Sequence, residues 1–405
     1  MQDIKINISS LLKSSLDNDV PKVDLYDLFE KRTKQLGLTL TQASELLSIE
    51  RKSLLALITG ESKQPNMINV LKVAEFLEIS LNNALRSILS KQSAENIASL
   101  QSANKMTFLT KNFDIDKLYK EKFINSKNDV DAIINRVSEY YGLDGMQAYE
   151  DYEKNLSAIL FSQPKRNFTD RMRDFAIKSA YRLFELIDNP NEFNRVKVKD
   201  LIPKIKPYSR DIENGLYIVC KALYNHGVTV IFQKHLTTSQ YRGATFIVNN
   251  KPCIVLTDLN KSYPTIWFAL LHELYHVLFD YEIISDWGYH LTGQPSLVLI
   301  NEESADDFAQ NFFFGLDMFN YIKPHINNHL IVSKYAKANN IEPSFIYRGF
   351  QFYSSTYEKK DYWKAFHKYM PNVSSATKKL NPMSWKDDVT LPKIALELKE
   401  IFELN

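Results

Sequence analysis

The chain has 405 residues, of which 44% are hydrophobic and 12% aromatic, so it can bury a large core and is no disordered protein. A formal net charge of +2 neither demands nor excludes a nucleic-acid partner, and only two cysteines, Cys220 and Cys253, point to a reducing compartment without a disulfide framework or cysteine-ligated zinc. The opening Met-Gln-Asp-Ile-Lys-Ile-Asn lacks a basic stretch leading into an apolar one, and no segment has the length of a membrane span, so the sequence reads as cytoplasmic.

Residues 24 to 90 carry short amphipathic helical patterns at about 24–36, 41–48, 51–59, 66–78 and 81–89. Thr41-Gln42 opens the second, Ser48-Ile49-Glu50 makes a tight break, and Gly60 ends the third. This order resembles the Cro/repressor (XRE) class of helix-turn-helix domains. The resemblance implies a third helix entering the major groove of double-stranded DNA, with Thr41, Gln42, Arg51, Lys52 and Ser53 as contact residues. Residues 1 to 90 hold eleven Lys/Arg against eleven Asp/Glu, so any DNA footprint must come from local placement. Glu50 stands where a small polar residue is usual in that class. Arg51 and Lys52 on a merely solvated face, in a module used for dimerisation or partner docking, is the plain alternative.

Ser90 to Asn104 reads as a linker, although its Ala and Leu content could equally extend a helix. Long helical patterns follow near 128–142, 145–162 and 168–187, with no catalytic constellation. Tyr140, Tyr141, Tyr149 and Tyr152 could make a stacking platform for a nucleotide, but tyrosines at helical spacing are more often core.

From residue 211 a helical stripe, Leu216 to Tyr224, gives way to strands: Gly227 to Phe232, then Gly243 to Val248 and Cys253 to Thr257 around an Asn-containing turn. The last two read as a hairpin. The helix that follows runs from Tyr263-Pro264 through an apolar stretch into His272-Glu273-Leu274-Tyr275-His276, with Pro264 suited to its first turn. Residues four apart share a helix face, so His272 and His276 can offer two nitrogens to one divalent ion while Glu273 serves as a base toward a water that the ion activates. Two histidines and a glutamate buried on an apolar helix need partners, and a metal ion with its water supplies them all.

A second helix is expected from Glu302, with Asn301 as N-cap and Ala305, Phe308, Ala309, Phe312 and Phe313 facing inward. Glu302 and Asp306 then share a face, in the arrangement where the Glu ligates zinc and the Asp holds the far nitrogen of a ligand histidine. Glu303 and Asp307 form a rival pair, rotated by about 100°; the inward positions favour Glu302. An acidic first turn that only complements the helix dipole is the plain alternative.

HExxH followed closely by Glu-x-x-Ala-Asp-x-Phe-Ala resembles the ImmA/IrrE family of metallopeptidases, over roughly residues 195 to 325. The resemblance implies a gluzincin-like zinc endopeptidase: Zn2+ on His272, His276 and Glu302, Glu273 as catalytic base, and Asp306 behind a ligand. The resemblance to zinc peptidases also implies that the hairpin before this helix could hold an extended peptide by strand addition, with support of that helix alone as the plain alternative. Tyr275 stands where Gly is frequent in the family and Ser304 where a second acidic residue is. Tyr289 and His290 are candidate oxyanion or substrate groups from proximity alone, and Arg348, in a trailing helical stretch, is a surface salt-bridge residue or a substrate contact.

The expected fold is α+β and mostly helical: a five-helix helix-turn-helix domain over 1–92, a helical middle region over 93–194, a zincin-like peptidase domain with a small β-sheet over 195–325, and a helical C-terminal region over 326–405. The function expected is regulation of transcription in a stress or phage-related response, by cleavage of a helix-turn-helix repressor or of the chain itself, with a homodimer conceivable. The rivals are a regulator that uses the peptidase fold as a sensor without cutting, and an antitoxin-like module.

Overall fold

Helix starts in the N-terminal part are written in side chains that satisfy otherwise orphaned backbone N–H groups. Asp24 accepts from Tyr26 and Asp27, Asn66 from Ile68 and Asn69, and Ser80 from Asn83. Thr39 forms a reciprocal capping box with Gln42. The computed structural model describes residues 8–17, 22–160, 170–236, 242–259, 261–292, 300, 302–386 and 388–403. These form a mostly helical α+β protein with a small mixed sheet. Among them no helix is long and apolar enough to cross a membrane.

Contacts divide the chain into two units, Met1–Lys111 and Asn112–Asn405. The first comprises Ile8–Leu16 (α1), Leu25–Leu36 (α2), Leu40–Leu47 (α3), Arg51–Thr59 (α4), Met67–Phe76 (α5), Leu81–Ser90 (α6) and Ala94–Asn112 (α7). Phe29, Leu54, Leu57, Val70, Val73 and Ile88 are among its buried core. Gly37 and Gly60 end α2 and α4 in the left-handed conformation, at φ 64° and 83°. Thr39 caps the second repressor-like helix, which puts Thr41 and Gln42 in its first turn. Two expectations change. The stretch 90–104 is helical from Ala94, its Ala and Leu content prevailing over its polar composition. The unit therefore ends at residue 111, not 92.

The second unit opens with Ile115–Lys120 (α8), Val130–Tyr141 (α9), Gly145–Leu160 (α10), Arg171–Ile187 (α11), Arg195–Ile205 (α12) and Gly215–Tyr224 (α13). Its strands are Thr229–Gln233 (β1), Gly243–Val248 (β2), Lys251–Thr257 (β3) and Tyr289–Leu291 (β4). Tyr263–Phe279 (α14) and Tyr281–Trp287 (α15) stand between β3 and β4. Glu302–Phe313 (α16), Leu316–Ile322 (α17), His329–Ala338 (α18), Pro343–Glu358 (α19), Val373–Thr377 (α20) and Leu391–Glu403 (α21) complete it. Asn301, the expected cap of α16, lies outside the described residues.

The strand order is β1-β3-β2-β4, with β1 parallel to β3 and the other pairs antiparallel. β2 and β3 are joined by Asn249-Asn250, both at positive φ (51° and 62°), the requirement of a tight turn matched to sheet twist. Both hairpin strands are paired on both sides, so the hairpin has no edge for strand addition. The edge it was expected to offer is taken by β4, a three-residue strand too short to leave a periodic signal.

The middle region is no separate body. α11 packs against β1 and α21, and Arg136 donates to the carbonyls of Phe123, Lys386 and Val389. Tyr140, Tyr141 and Tyr149 are buried with Phe123 and Phe175 in an aromatic core, which answers the stacking-platform alternative. α14 lies against β2 and β3 and also packs against α16 and α19. An element covered on so many sides can be apolar nearly all round, as its sequence is.

Candidate metal centre

The four-residue spacing on α14 brings His272 and His276 together, with Nε2 atoms 3.1 Å apart and exposures of 1% and 0%. Each ring is fixed from behind. His272 Nδ1 is 2.9 Å from Asp306 Oδ1, and His276 Nδ1 is 2.7 Å from Asp280 Oδ2. A carboxylate only accepts, so both Nδ1 atoms carry a hydrogen and both Nε2 atoms face the same space. At this distance a proton or a metal cation must lie between them.

Glu302, on the first turn of α16, faces that space: its carboxylate is 3.4 Å from His272 Nε2 and 3.7 Å from His276 Nε2. The ligand atoms of His272, His276 and Glu302 all lie within 4.8 Å of one another. Burial pushes the His272 pKa down, but Asp306 and Glu302 outweigh it and raise it to about 10. For Glu302, burial acts upward and is overridden by His272 and His290, which hold the carboxyl well below its ordinary range. Both shifts report one property: the space between these side chains stabilises positive charge. The donor set of two imidazoles and a carboxylate suits zinc and leaves a position for a water or substrate.

Glu273 is fully buried and held from the sheet. Thr245 Oγ1 of β2 donates to its Oε2 at 2.7 Å, and Thr292, just past β4, donates to its Oε1. Gly243 lies so close that a Cβ there would collide with Glu273 Oε1. His290 pairs with Thr245 across β2 and β4, and its Nε2 comes 2.5 Å from Glu302 Oε1. The approach lacks hydrogen-bond alignment, so both buried atoms have no hydrogen bond. Tyr289 pairs with Phe246 instead, and strand alternation puts it on the opposite face of the sheet. Of the two proximity candidates, only His290 joins the cluster.

Asp280 escaped the sequence reading although its signal was available, since it lies four residues from His276 on the same helical face. Thr245 and Thr292 carried none, because only the β2–β4 pairing brings them to Glu273. In the first unit, Thr41, Gln42, Arg51, Lys52 and Ser53 are all exposed. Gln42 is engaged with Thr39, and Ser53 Oγ donates to Glu50 Oε2 at 3.3 Å. Lys52 and Ser53 line a polar groove of about 270 Å³ with Gln64, Asn66 and Asn69.

Comparison with protein-family models, curated proteins and solved structures found no match.

Proposed function

We propose that the chain is a zinc-dependent peptidase of the ImmA/IrrE type, joined to a helix-turn-helix module, that regulates transcription by cutting a repressor-like protein. The observation that carries this reading is the pair of buried imidazole Nε2 atoms 3.1 Å apart, with Glu302 beside them and Glu273 on the same helix. A zinc ion on His272, His276 and Glu302 would acidify a water and polarise the scissile carbonyl. Glu273, aligned by Thr245 and Thr292, accepts the proton released in the attack and returns it to the leaving nitrogen. His290, whose Nε2 faces Glu302 Oε1 at 2.5 Å, is the sheet side chain we assign as donor to the oxygen of the carbonyl under attack.

The test is incubation of the purified, zinc-supplied chain, alone and with helix-turn-helix proteins encoded beside it, against the same reactions with Glu273→Gln. Fragments from the native chain and none from the variant support the proposal. Fragments that persist with Glu273→Gln overturn the assignment of the base. Capture of an uncut partner that is indifferent to the substitution favours the non-cleaving sensor or antitoxin-like module.

A further inference from the structure

Arg348 is a largely desolvated cation, with Asp306 the carboxylate whose charge acts on it. It sits on α19, which packs against both α14 and α16, and its guanidinium lies over the Trp363 ring at 4.2 Å from the centroid. Its Nη1 is buried and makes no hydrogen bond, and among the described residues Arg348 forms no ion pair. The charge of Asp306, the partner of His272, acts on it favourably, while that of Arg242 acts against it. Arg242 is exposed, has no ion pair among the described residues either, and immediately precedes Gly243, whose backbone abuts Glu273. One arginine thus belongs to the sheet beside the base and the other to α19 beside the second ligand helix.

A desolvated guanidinium left without a hydrogen-bonded anion is costly, and one that feels a second positive charge more so. Burial and Arg242 together pull the Arg348 pKa down to about 10 despite Asp306. A stack on Trp363 covers a face of the guanidinium plane and leaves its edge, where all five N–H groups point, for a planar acceptor. We propose that Arg348, stacked on Trp363, receives a carboxylate of the bound peptide and so selects substrates carrying one near the scissile bond. The carboxylate is that of an acidic side chain or of a free C-terminus, two sources with one chemistry. The inference rests on the peptidase reading for its substrate class, but the binding it requires is measurable without cleavage.

Trp363 reports directly on its neighbour. The full-length chain, with and without zinc, is titrated with N-acetyl-aspartate amide, which has a side-chain carboxylate, and with N-acetyl-alanine, which has a terminal one; the asparagine and alanine amides are neutral controls. The expected result is a saturable change in tryptophan fluorescence with one or both acids and neither amide, lost in Trp363→Phe. Arg348→Gln should weaken it by at least about tenfold and Arg242→Gln by less, with Arg348→Lys, which keeps charge but not the fork, between wild type and Arg348→Gln. Whichever acid binds more tightly identifies the source. No carboxylate-dependent change, or one that survives Arg348→Gln, overturns the proposal. Cleavage abolished by Glu273→Gln is judged separately, so either reading can fail while the other stands.

Discussion

His272 and His276 present equivalent nitrogens, yet their supports differ. Asp280 is 10% exposed and Asp306 is 55% exposed, so water can replace the second far more readily than the first. Asp280→Asn should therefore weaken zinc binding more than Asp306→Asn, within the roughly 10- to 100-fold span typical of such partners, read by competition with a chelator. Equal losses would mean that burial of the partner is immaterial. A second expectation concerns protons. With its pKa raised to about 10 from an ordinary 6.5, metal-free His272 is protonated at neutral pH. It contributes stability that is fully present below about 6.5 and lost as pH rises through about 10. Zinc must displace that proton, so calorimetry at pH 7.5 in buffers of different ionisation enthalpy should show close to one proton released from this residue per ion bound. Glu302 runs the other way: its lowered pKa contributes stability above its ordinary 4.5 and loses it in acid, where the metal site should empty as well.

At the scale of elements, local chemistry and long-range pairing separate cleanly. The helices of residues 24–90 were legible because their capping residues and terminal glycines lie within the segments they punctuate. α14 and α16 were legible because their buried faces and the His272/His276 and Glu302/Asp306 pairs repeat at helical spacing. β4 was not, since three residues carry no period and its partner lies over forty positions away. The same limit hid Thr245, Thr292 and Arg242, whose neighbours exist only once the sheet and α19 are assembled. The join of α19 to α16 is also invisible locally: Gly349 admits Phe314 so closely that a Cβ would collide with the ring. Gly349→Ala should overpack this contact and destabilise the second unit by about 1–3 kcal/mol, visible as a lower thermal midpoint. An unchanged midpoint would show that the two helices can slide apart at little cost.

For the molecule as a whole, composition and motif spacing anticipated an α+β, mostly helical chain, while the boundaries followed packing. α11, which sequence alone would leave outside a peptidase domain starting at 195, packs on β1 and on α21. A fragment of residues 112–405 should fold with a single cooperative transition and match the zinc affinity of the full chain. One of residues 195–405 should aggregate or unfold, because it strips α11 from the sheet. A stable, zinc-binding 195–405 fragment would refute this division. The two sets of supports around α14 have a further consequence. The ligand histidines take their orientation from carboxylates on or after helices, Asp280 and Asp306, whereas Glu273 takes its own from hydroxyls on or after strands, Thr245 and Thr292. On the proposed reading, metal ligation and proton transfer would thus lean on different elements, joined through the sheet only at His290, which reaches Glu302 from β4.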